Sequence, residues 1–275
     1  FKMDEQELLK ERFKSAVTSA IKTISEDFDI EVKFGDNSSS KKNTLNLPEL
    51  GDLKKMQDFT NLRAFADSEA LKIKYTNSKI YLENEPSGAM GKTLYAIAEK
   101  IRYEKIGSNK LKGIKNNITQ YFENKLKDKK IEEIRTEADV PITEAFELYL
   151  RSHFFPIKQS KITKKVLSYW KILFDKNLKK KLLELESCIE NQKQFNQLSA
   201  NLIGNLDFED SDSKKENEEK NEKENSPKSE NKDEGSDQPQ KEDDKDSKTN
   251  LNIFESSFET ANEKESSDKK EVKEI

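Results

Sequence analysis

The 275-residue sequence contains only one cysteine and one histidine, Cys188 and His153. A single cysteine excludes an intrachain disulfide, and in a helical pattern it is expected to be a small, inert core residue. A lone histidine without cysteine, histidine or clustered carboxylates at ligand spacing makes a poor metal site. Catalytic use of the imidazole would also require a partner group. We therefore interpret His153 as structural or solvent-facing.

The sequence also lacks long apolar runs and catalytic motifs. No run approaches the ~18 residues of a membrane-spanning helix, and no signal-peptide pattern opens the chain, so the expected location is cytoplasmic. There is no CxxC, HExxH or Ser-His-Asp arrangement. Gly88, Gly91, Lys92 and Thr93 spell GxxGKT, but a phosphate-binding loop requires four residues between its glycines and a preceding strand. We predict that this chain has no catalytic, cofactor-binding or metal-binding residue.

Charge divides the sequence near Phe208. Residues 209–275 carry a net charge of −10, whereas residues 1–208 carry +6. The acidic part has too few apolar residues to offset the entropy cost of folding. We predict a helical domain over residues 1–208, a disordered charged linker over 209–250 and the start of a C-terminal region over 251–275. The lysines of the folded part look scattered along the sequence and are not interleaved with exposed aromatic residues, which argues against nucleic-acid binding.

Apolar residues recur at intervals of three and four through most of the first 208 residues, which predicts a mainly α, multi-helix bundle. Asp4 is a candidate cap for the first helix. Ser87 is the candidate cap of a later helix, which Gly107 is expected to end. The other expectations are a helix over residues 58–75, a connection over 77–85, a short turn near 131–134, a helix beginning at Pro141, and one long helix over 178–204.

A short β-structure interrupts the helical pattern near residues 29–48. Ile30, Val32 and Phe34 alternate with charged residues, and the run from Thr44 to Leu47 alternates again. Such a period of two is typical of strands. The simplest pairing is an antiparallel hairpin, with Pro48 just outside it.

Charged residues lie beside the apolar stripe of the helix that follows Pro86. Glu99 and Arg102 are three residues apart, and Glu104 falls on the opposite edge of the stripe. The simplest interpretation of Glu99 and Arg102 is an exposed ion pair of small energetic value. The alternative is a buried or interfacial charge network. Together with Asn117, these residues form our candidate interaction or structural network.

The order of these segments resembles the CobT subunit of aerobic cobaltochelatase. The most specific part is the pattern E-x-x-R-x-E-x-x-G followed by G-x-x-x-N. The residues that carry the resemblance are Asp29–Gly35, Leu47-Pro48, Arg63, Ala66-Asp67, Ala70-Leu71, Glu99, Arg102, Glu104, Gly107, Gly113, Asn117, Pro141, Glu144-Ala145, Trp170, Ile189, Gln192 and Phe195. A charged low-complexity stretch follows, as in that family, and Ile253–Glu259 is similar to the start of the family's C-terminal region.

The sequence departs from the family in three respects. It is richer in lysine and asparagine, and Tyr75-Thr76 stand where histidine is expected. The family's C-terminal von Willebrand A domain, with its metal-dependent site, is missing from this sequence. We therefore expect the sequence to be a fragment of a longer protein.

The resemblance implies a cytoplasmic subunit of a ligase-class, ATP-dependent complex that inserts Co²⁺ into hydrogenobyrinic acid a,c-diamide during cobalamin biosynthesis. The implied partners are a CobS-like AAA+ ATPase and a large CobN-like subunit. ATP, Mg²⁺ and Co²⁺ would be used by the complex, while this chain would bind no cofactor and act as a non-catalytic docking or adaptor component. Two alternatives stay open: an adaptor for another pair of AAA+ ATPase and von Willebrand A protein, and a helical scaffold unrelated to chelation.

Overall fold

A computed structural model describes residues 5–35, 43–49 and 56–206, with the side chain of residue 6 excepted. This part of the chain holds nine α-helices and two short strands. They are α1 (Glu5–Ser25), β1 (Glu31–Phe34), β2 (Thr44–Leu47), α2 (Met56–Tyr75), α3 (Ser78–Glu83), α4 (Ala89–Lys110), α5 (Lys112–Lys127), α6 (Ile142–Phe154), α7 (Lys161–Asn177), α8 (Leu182–Ser187) and α9 (Gln192–Gly204). Single 3₁₀ turns occur at Ile131–Glu133, Glu137–Asp139 and Lys179–Lys181.

Helix α4 lies at the centre of the bundle and packs against α2, α5, α6 and α9. Over residues 94–108 nearly every side chain is buried, whichever face of the helix it occupies. A helix buried all round is normally apolar all round. This one instead buries the side chains of Glu99, Lys100, Arg102 and Glu104. Each of these charges requires compensation within the protein, because burying an unpaired charge is very costly.

The predicted mainly α fold is confirmed, and several of its elements fall where the sequence places them. The predicted helix over 58–75 is α2, and the expected turn near 131–134 is the 3₁₀ turn Ile131–Glu133. Pro141 is the N-cap residue of α6. Local sequence signals located these elements, because apolar residues recur at helical spacing in α2 and α6 and a proline stands at the start of α6.

The two predicted strands are present, but the predicted antiparallel hairpin is wrong. β1 and β2 pair in parallel, with Glu31 opposite Thr44 and Phe34 opposite Leu47. To pair this way the chain must travel back the length of one strand, about 13 Å at ~3.3 Å per residue. The connection over residues 35–43 is long enough to do so. Alternating burial is the same for both pairing directions, so the sequence pattern did not distinguish them.

Gly107 does not end its helix, contrary to the prediction. It lies within α4, which continues to Lys110, and its carbonyl accepts a hydrogen bond from the N–H of Leu111 at 2.8 Å. The glycine is needed for packing, because a Cβ at this position would collide with the buried side chain of Leu71 on α2. Its small size therefore sets how closely α2 approaches α4.

The predicted connection over 77–85 is also wrong, since it contains helix α3. The side chain of Asn77 caps this helix by accepting a hydrogen bond from the N–H of Ile80 at 3.2 Å, as asparagine often does. Tyr81 of α3 is buried, and its ring lies 4.7 Å from that of Tyr95 on α4.

The predicted long helix over 178–204 is three separate pieces: a 3₁₀ turn, α8 and α9. The side chain of Asn191 caps α9 by accepting from the N–H of Gln194 at 3.2 Å. The predicted N-cap of α4 is also wrong. The N-cap residue is Gly88 rather than Ser87, and Gly88 makes no side-chain hydrogen bond. Gly88 has a positive φ of 87°, a backbone conformation that glycine adopts readily.

Some predictions fall outside the described residues. Asp4 is one, and the predicted linker over 209–250 and C-terminal region over 251–275 are others, so the domain division stays a prediction. Within residues 5–35, 43–49 and 56–206, none of the helices combines the length and apolar character that crossing a membrane requires.

We predict that Gly107→Ala destabilises the protein by about 1–2 kcal/mol. A new methyl group costs ~1–3 kcal/mol in a packed core, and the higher helix propensity of alanine returns ~0.5–1 kcal/mol. The free energy of unfolding would be measured by urea denaturation followed by circular dichroism.

Gly113→Ala is the matched control for this substitution. Gly113 lies near the start of α5, and a Cβ added there meets no atom within 4 Å. This variant is expected to be neutral or slightly more stable than the parent. Equal effects of the two substitutions would contradict the packing role of Gly107.

Candidate functional site: charged clusters around α4

The most highly connected buried charge is the carboxylate of Glu99, whose residue is 2% exposed. Its Oε1 accepts from Thr76 Oγ1 at 2.9 Å, Arg102 Nη2 at 2.8 Å and Gln192 Nε2 at 3.2 Å. Its Oε2 accepts from Arg102 Nε and Asn196 Nδ2, both at 2.8 Å. The carboxylate thus receives a bidentate guanidinium, the strongest type of ion pair.

Arg102 uses its remaining donors on backbone carbonyls at the ends of other elements. Nη1 donates to the carbonyl of Ile189 at 3.3 Å, and Nη2 donates to the carbonyl of Tyr75. Gln192 completes the cluster, since its Oε1 accepts from the Asn77 N–H at 2.8 Å. We call Glu99, Arg102, Thr76, Gln192 and Asn196 the Glu99 cluster. It joins α4 to the end of α2, to the start of α3 and to α9.

A second cluster lies on another face of α4. Glu104 Oε1 accepts from Ser68 Oγ at 2.6 Å, and its Oε2 forms an ion pair with Arg151 Nη2 at 2.7 Å. Arg151 also donates to Glu147 Oε1 at 2.8 Å. Its guanidinium carbon lies 4.8 Å from the centre of the Phe122 ring, a cation–π contact with α5. We call Ser68, Glu104, Glu147 and Arg151, together with Lys100, the Glu104 cluster; it joins α4 to α2, α5 and α6.

Lys100 adds a third positive charge to this region. The carboxylates of Glu104 and Glu147 face the cations of Lys100, Arg151 and Lys125, and Lys125 Nζ lies 3.7 Å from Glu147. Burial lowers the pKa of Lys100 to about 8, although Glu104 and Glu147 oppose the shift. Burial would raise the pKa of Glu147, but the nearby cations outweigh it and hold that pKa at about 2.

A third, smaller cluster joins α2 to α5. Asp67, which is 1% exposed, forms an ion pair with Arg63 at 2.9 Å and accepts from Asn117 Nδ2 at 2.8 Å. Burial raises the pKa of Asp67, although Arg63 and Asn117 favour its charged form.

The structure therefore places the four predicted network residues in three clusters. Glu99 and Arg102 share one, Glu104 lies in the second, and Asn117 lies in the third. Our simplest interpretation, an exposed pair between Glu99 and Arg102, is wrong, because both side chains are 2% exposed. The alternative, a buried charge network, is the arrangement observed. Helix α9 packs on the side of α4 that carries Glu99 and Arg102 and so excludes water from both side chains.

Several members of these clusters were missed in the sequence. Arg151 and Glu147 were the most detectable, because they are four residues apart on a helix whose neighbours Leu148 and Leu150 are buried. A charged pair within such an apolar run indicates a buried ion pair. Thr76 and Asn196 gave no signal, since their role depends on helices distant in sequence.

The residues considered for chemistry have structural contacts. Cys188 is half-buried, and burial raises the pKa of its thiol. His153 Nε2 lies 3.2 Å from Glu186. The indole of Trp170 donates to the Val140 carbonyl at 2.9 Å and so fastens α7 to the segment before α6. Among the residues that the structure describes, no three His, Cys, Asp or Glu side chains are grouped as metal ligands.

Comparison with known proteins identifies the family. The family model described as cobalamin biosynthesis protein CobT matches residues 8–274. The chain belongs to the CobT family. No solved structure matches it. Membership of this family implies a role in the cobaltochelatase of cobalamin biosynthesis. The resemblance found in the sequence is thereby confirmed.

Family membership gives the clusters a context. The segments that carry the CobT resemblance supply Arg63, Asp67, Glu99, Arg102, Glu104, Asn117 and Gln192. In this structure, each of these side chains takes part in one of the three clusters or, for Arg63 and Asn117, bonds to the buried carboxylate of Asp67. Part of the resemblance therefore consists of side chains that hold the helices of this domain together.

We predict that replacing Lys100 by methionine changes how stability depends on pH. The pKa of Lys100 falls from 10.5 to about 8 on folding, so the unfolded chain binds more protons between these values and stability rises with pH there. Lys100→Met removes that rise. Near pH 7 the variant should be more stable than the parent by roughly 1–3 kcal/mol, because it no longer buries the Lys100 charge. The cations of Arg151 and Lys125 still balance the carboxylates of Glu104 and Glu147 in the variant.

The measurement is urea denaturation of parent and variant from pH 7 to pH 10. The stability difference should shrink across this window as the parent loses its buried charge. Lys171→Met is the control, because Lys171 lies in an exposed pair with Asp175. A difference for Lys100→Met that stays constant with pH would contradict the assignment.

Proposed function

We propose that this chain is the non-catalytic docking subunit of an ATP-dependent cobaltochelatase, whose reaction inserts Co²⁺ into hydrogenobyrinic acid a,c-diamide. The observation that carries the proposal is the CobT match over residues 8–274. In this assignment a CobS-like AAA+ ATPase hydrolyses ATP and a CobN-like large subunit holds the corrin substrate. Cobalt is the substrate of the complex, and this chain provides a body on which the partners assemble.

The buried clusters support a docking role for the described domain. A metal or substrate site needs ligands that are free to exchange partners, but Glu99, Glu104 and Asp67 already face internal donors. These carboxylates hold helices in place. A domain fixed in this way presents surfaces that lose little conformational entropy on binding, which favours assembly.

The proposal is tested by reconstitution with purified CobS-like and CobN-like subunits from the same organism. Co²⁺ insertion into hydrogenobyrinic acid a,c-diamide would be followed by the absorbance change of the corrinoid, with and without the full chain, in the presence of Mg²⁺ and ATP. We expect insertion to fall to background without the chain or without ATP. Association of the three proteins would be measured in parallel by size-exclusion chromatography.

The outcomes separate the alternatives. Insertion that proceeds equally well without the chain would overturn the proposal. Binding to the ATPase with no effect on insertion would also overturn it, in favour of an adaptor for a different ATPase task. Absence of binding to either partner, alone or together, would favour a helical scaffold unrelated to chelation.

A further inference from the structure

Helix α7 and the turn that follows it form the most strongly basic stretch of the described chain. Residues 161–181 contain eight lysines and one acidic residue, Asp175. In the sequence these lysines look scattered. The structure gathers several of them on one side of a single helix.

The exposed residues of α7 follow helical spacing. Lys161, Lys164, Ser168, Ile172 and Lys176 recur at intervals of three or four and are all exposed. We call these five residues the lysine face. The spacing places them in one row along the helix surface. Three further lysines, Lys179–Lys181, continue directly beyond the end of the helix.

Charge on this face is largely uncompensated. Within the part of the chain that the structure describes, Lys161, Lys164 and Lys176 form no ion pair. The nearby acid, Asp175, is already engaged: it accepts from Tyr149 at 2.9 Å and pairs with Lys171 at 3.1 Å. The face therefore has a net positive potential that attracts anions.

Ile172 is the feature that plain solvation does not explain. It is 84% exposed in the middle of the lysine face. The opposite side of α7 provides its packing, with Val166 and Phe174 both fully buried. The helix therefore needs no apolar residue at position 172 for its own folding, yet an isoleucine is exposed there, one turn before Lys176 and next to Lys171.

We propose that the lysine face binds an acidic segment of a partner protein that carries an apolar side chain. The lysines match carboxylates, and Ile172 offers the apolar contact that would be buried against the partner. Nucleic acid fits this face less well, because residues 161–181 contain no arginine and Trp170 donates its N–H inward to Val140, so stacking and bidentate contacts are missing. A membrane surface would require a broader apolar face.

This inference does not depend on the proposed chelatase role. The lysine face is a property of α7, whichever assembly the chain joins. Binding of an acidic peptide and Co²⁺ insertion are measured separately, so failure of one is distinguishable from failure of the other.

The test uses the full chain and a fluorescent peptide rich in glutamate with a central Leu-Phe pair, followed by fluorescence anisotropy over a series of salt concentrations. A second peptide replaces the Leu-Phe pair with two serines. We expect the parent to bind the first peptide at least about 5-fold more tightly than the second, with binding that weakens as salt increases.

Two variants separate the charged and apolar contributions. Lys164→Gln with Lys176→Gln should weaken binding about 5–10-fold and reduce the dependence on salt. Ile172→Gln should weaken binding about 10-fold and leave the dependence on salt unchanged. Lys79→Gln with Lys193→Gln is the charge-matched control, since both lysines are exposed on α3 and α9, and should bind as the parent does.

Three results would overturn the proposal. The first is no measurable binding of the acidic peptide to the parent. The second is equal loss in the control and the α7 variants, which would indicate a general charge effect. The third is tighter binding of single-stranded RNA or anionic vesicles than of the peptide, with the same sensitivity to the α7 variants, which would assign the face to another class of ligand.

Discussion

The buried ion pair between Glu99 and Arg102 is the constraint on which the arrangement of this domain depends. Both residues lie on α4, but their remaining bonds reach the end of α2, the start of α3 and both the approach to α9 and α9 itself. Apolar contact alone is non-directional and would permit these elements to slide. Three hydrogen bonds to the Glu99 carboxylate and two from Arg102 to backbone carbonyls reach these elements and fix their positions, because each bond has a preferred distance and angle.

Burying so much charge is a poor route to stability in itself. Desolvation of two ions costs several kcal/mol, and the pair regains this only when every donor and acceptor is satisfied. Glu99 accepts from Thr76, Gln192 and Asn196 besides Arg102, and Arg102 donates to the carbonyls of Tyr75 and Ile189. We infer that the Glu99 cluster contributes mainly to a single defined packing of α9 on α4. The Glu104 cluster makes the corresponding connection to α6, and Asp67 makes it to α5.

The sequence predicted the parts of the fold that depend on local periodicity. It located α2, the start of α6 and the two strands, because the apolar residues of each recur at the spacing typical of its structure. It did not predict the direction of strand pairing, because alternating burial is the same for parallel and antiparallel strands. It also missed the continuation of α4 through Gly107, which depends on packing against Leu71, and the start of a new helix after Asn191, which depends on a side-chain cap. Glu99 and Arg102 were recognised as a candidate pair, but their burial depends on α9, which is about ninety residues away in the sequence.

The most direct test of this account is native-state hydrogen exchange of Arg102→Met, compared with the parent and with Lys171→Met as the surface reference. Removing Arg102 leaves the buried Glu99 carboxylate without its cation, which typically costs ~3–5 kcal/mol. We predict that residues 192–204 of α9 lose most of this amount in protection, that residues 161–177 of α7 lose much less, and that Lys171→Met changes neither. Protection of α9 equal to that of the parent, or a loss spread evenly over α7 and α9, would contradict the central role of this pair.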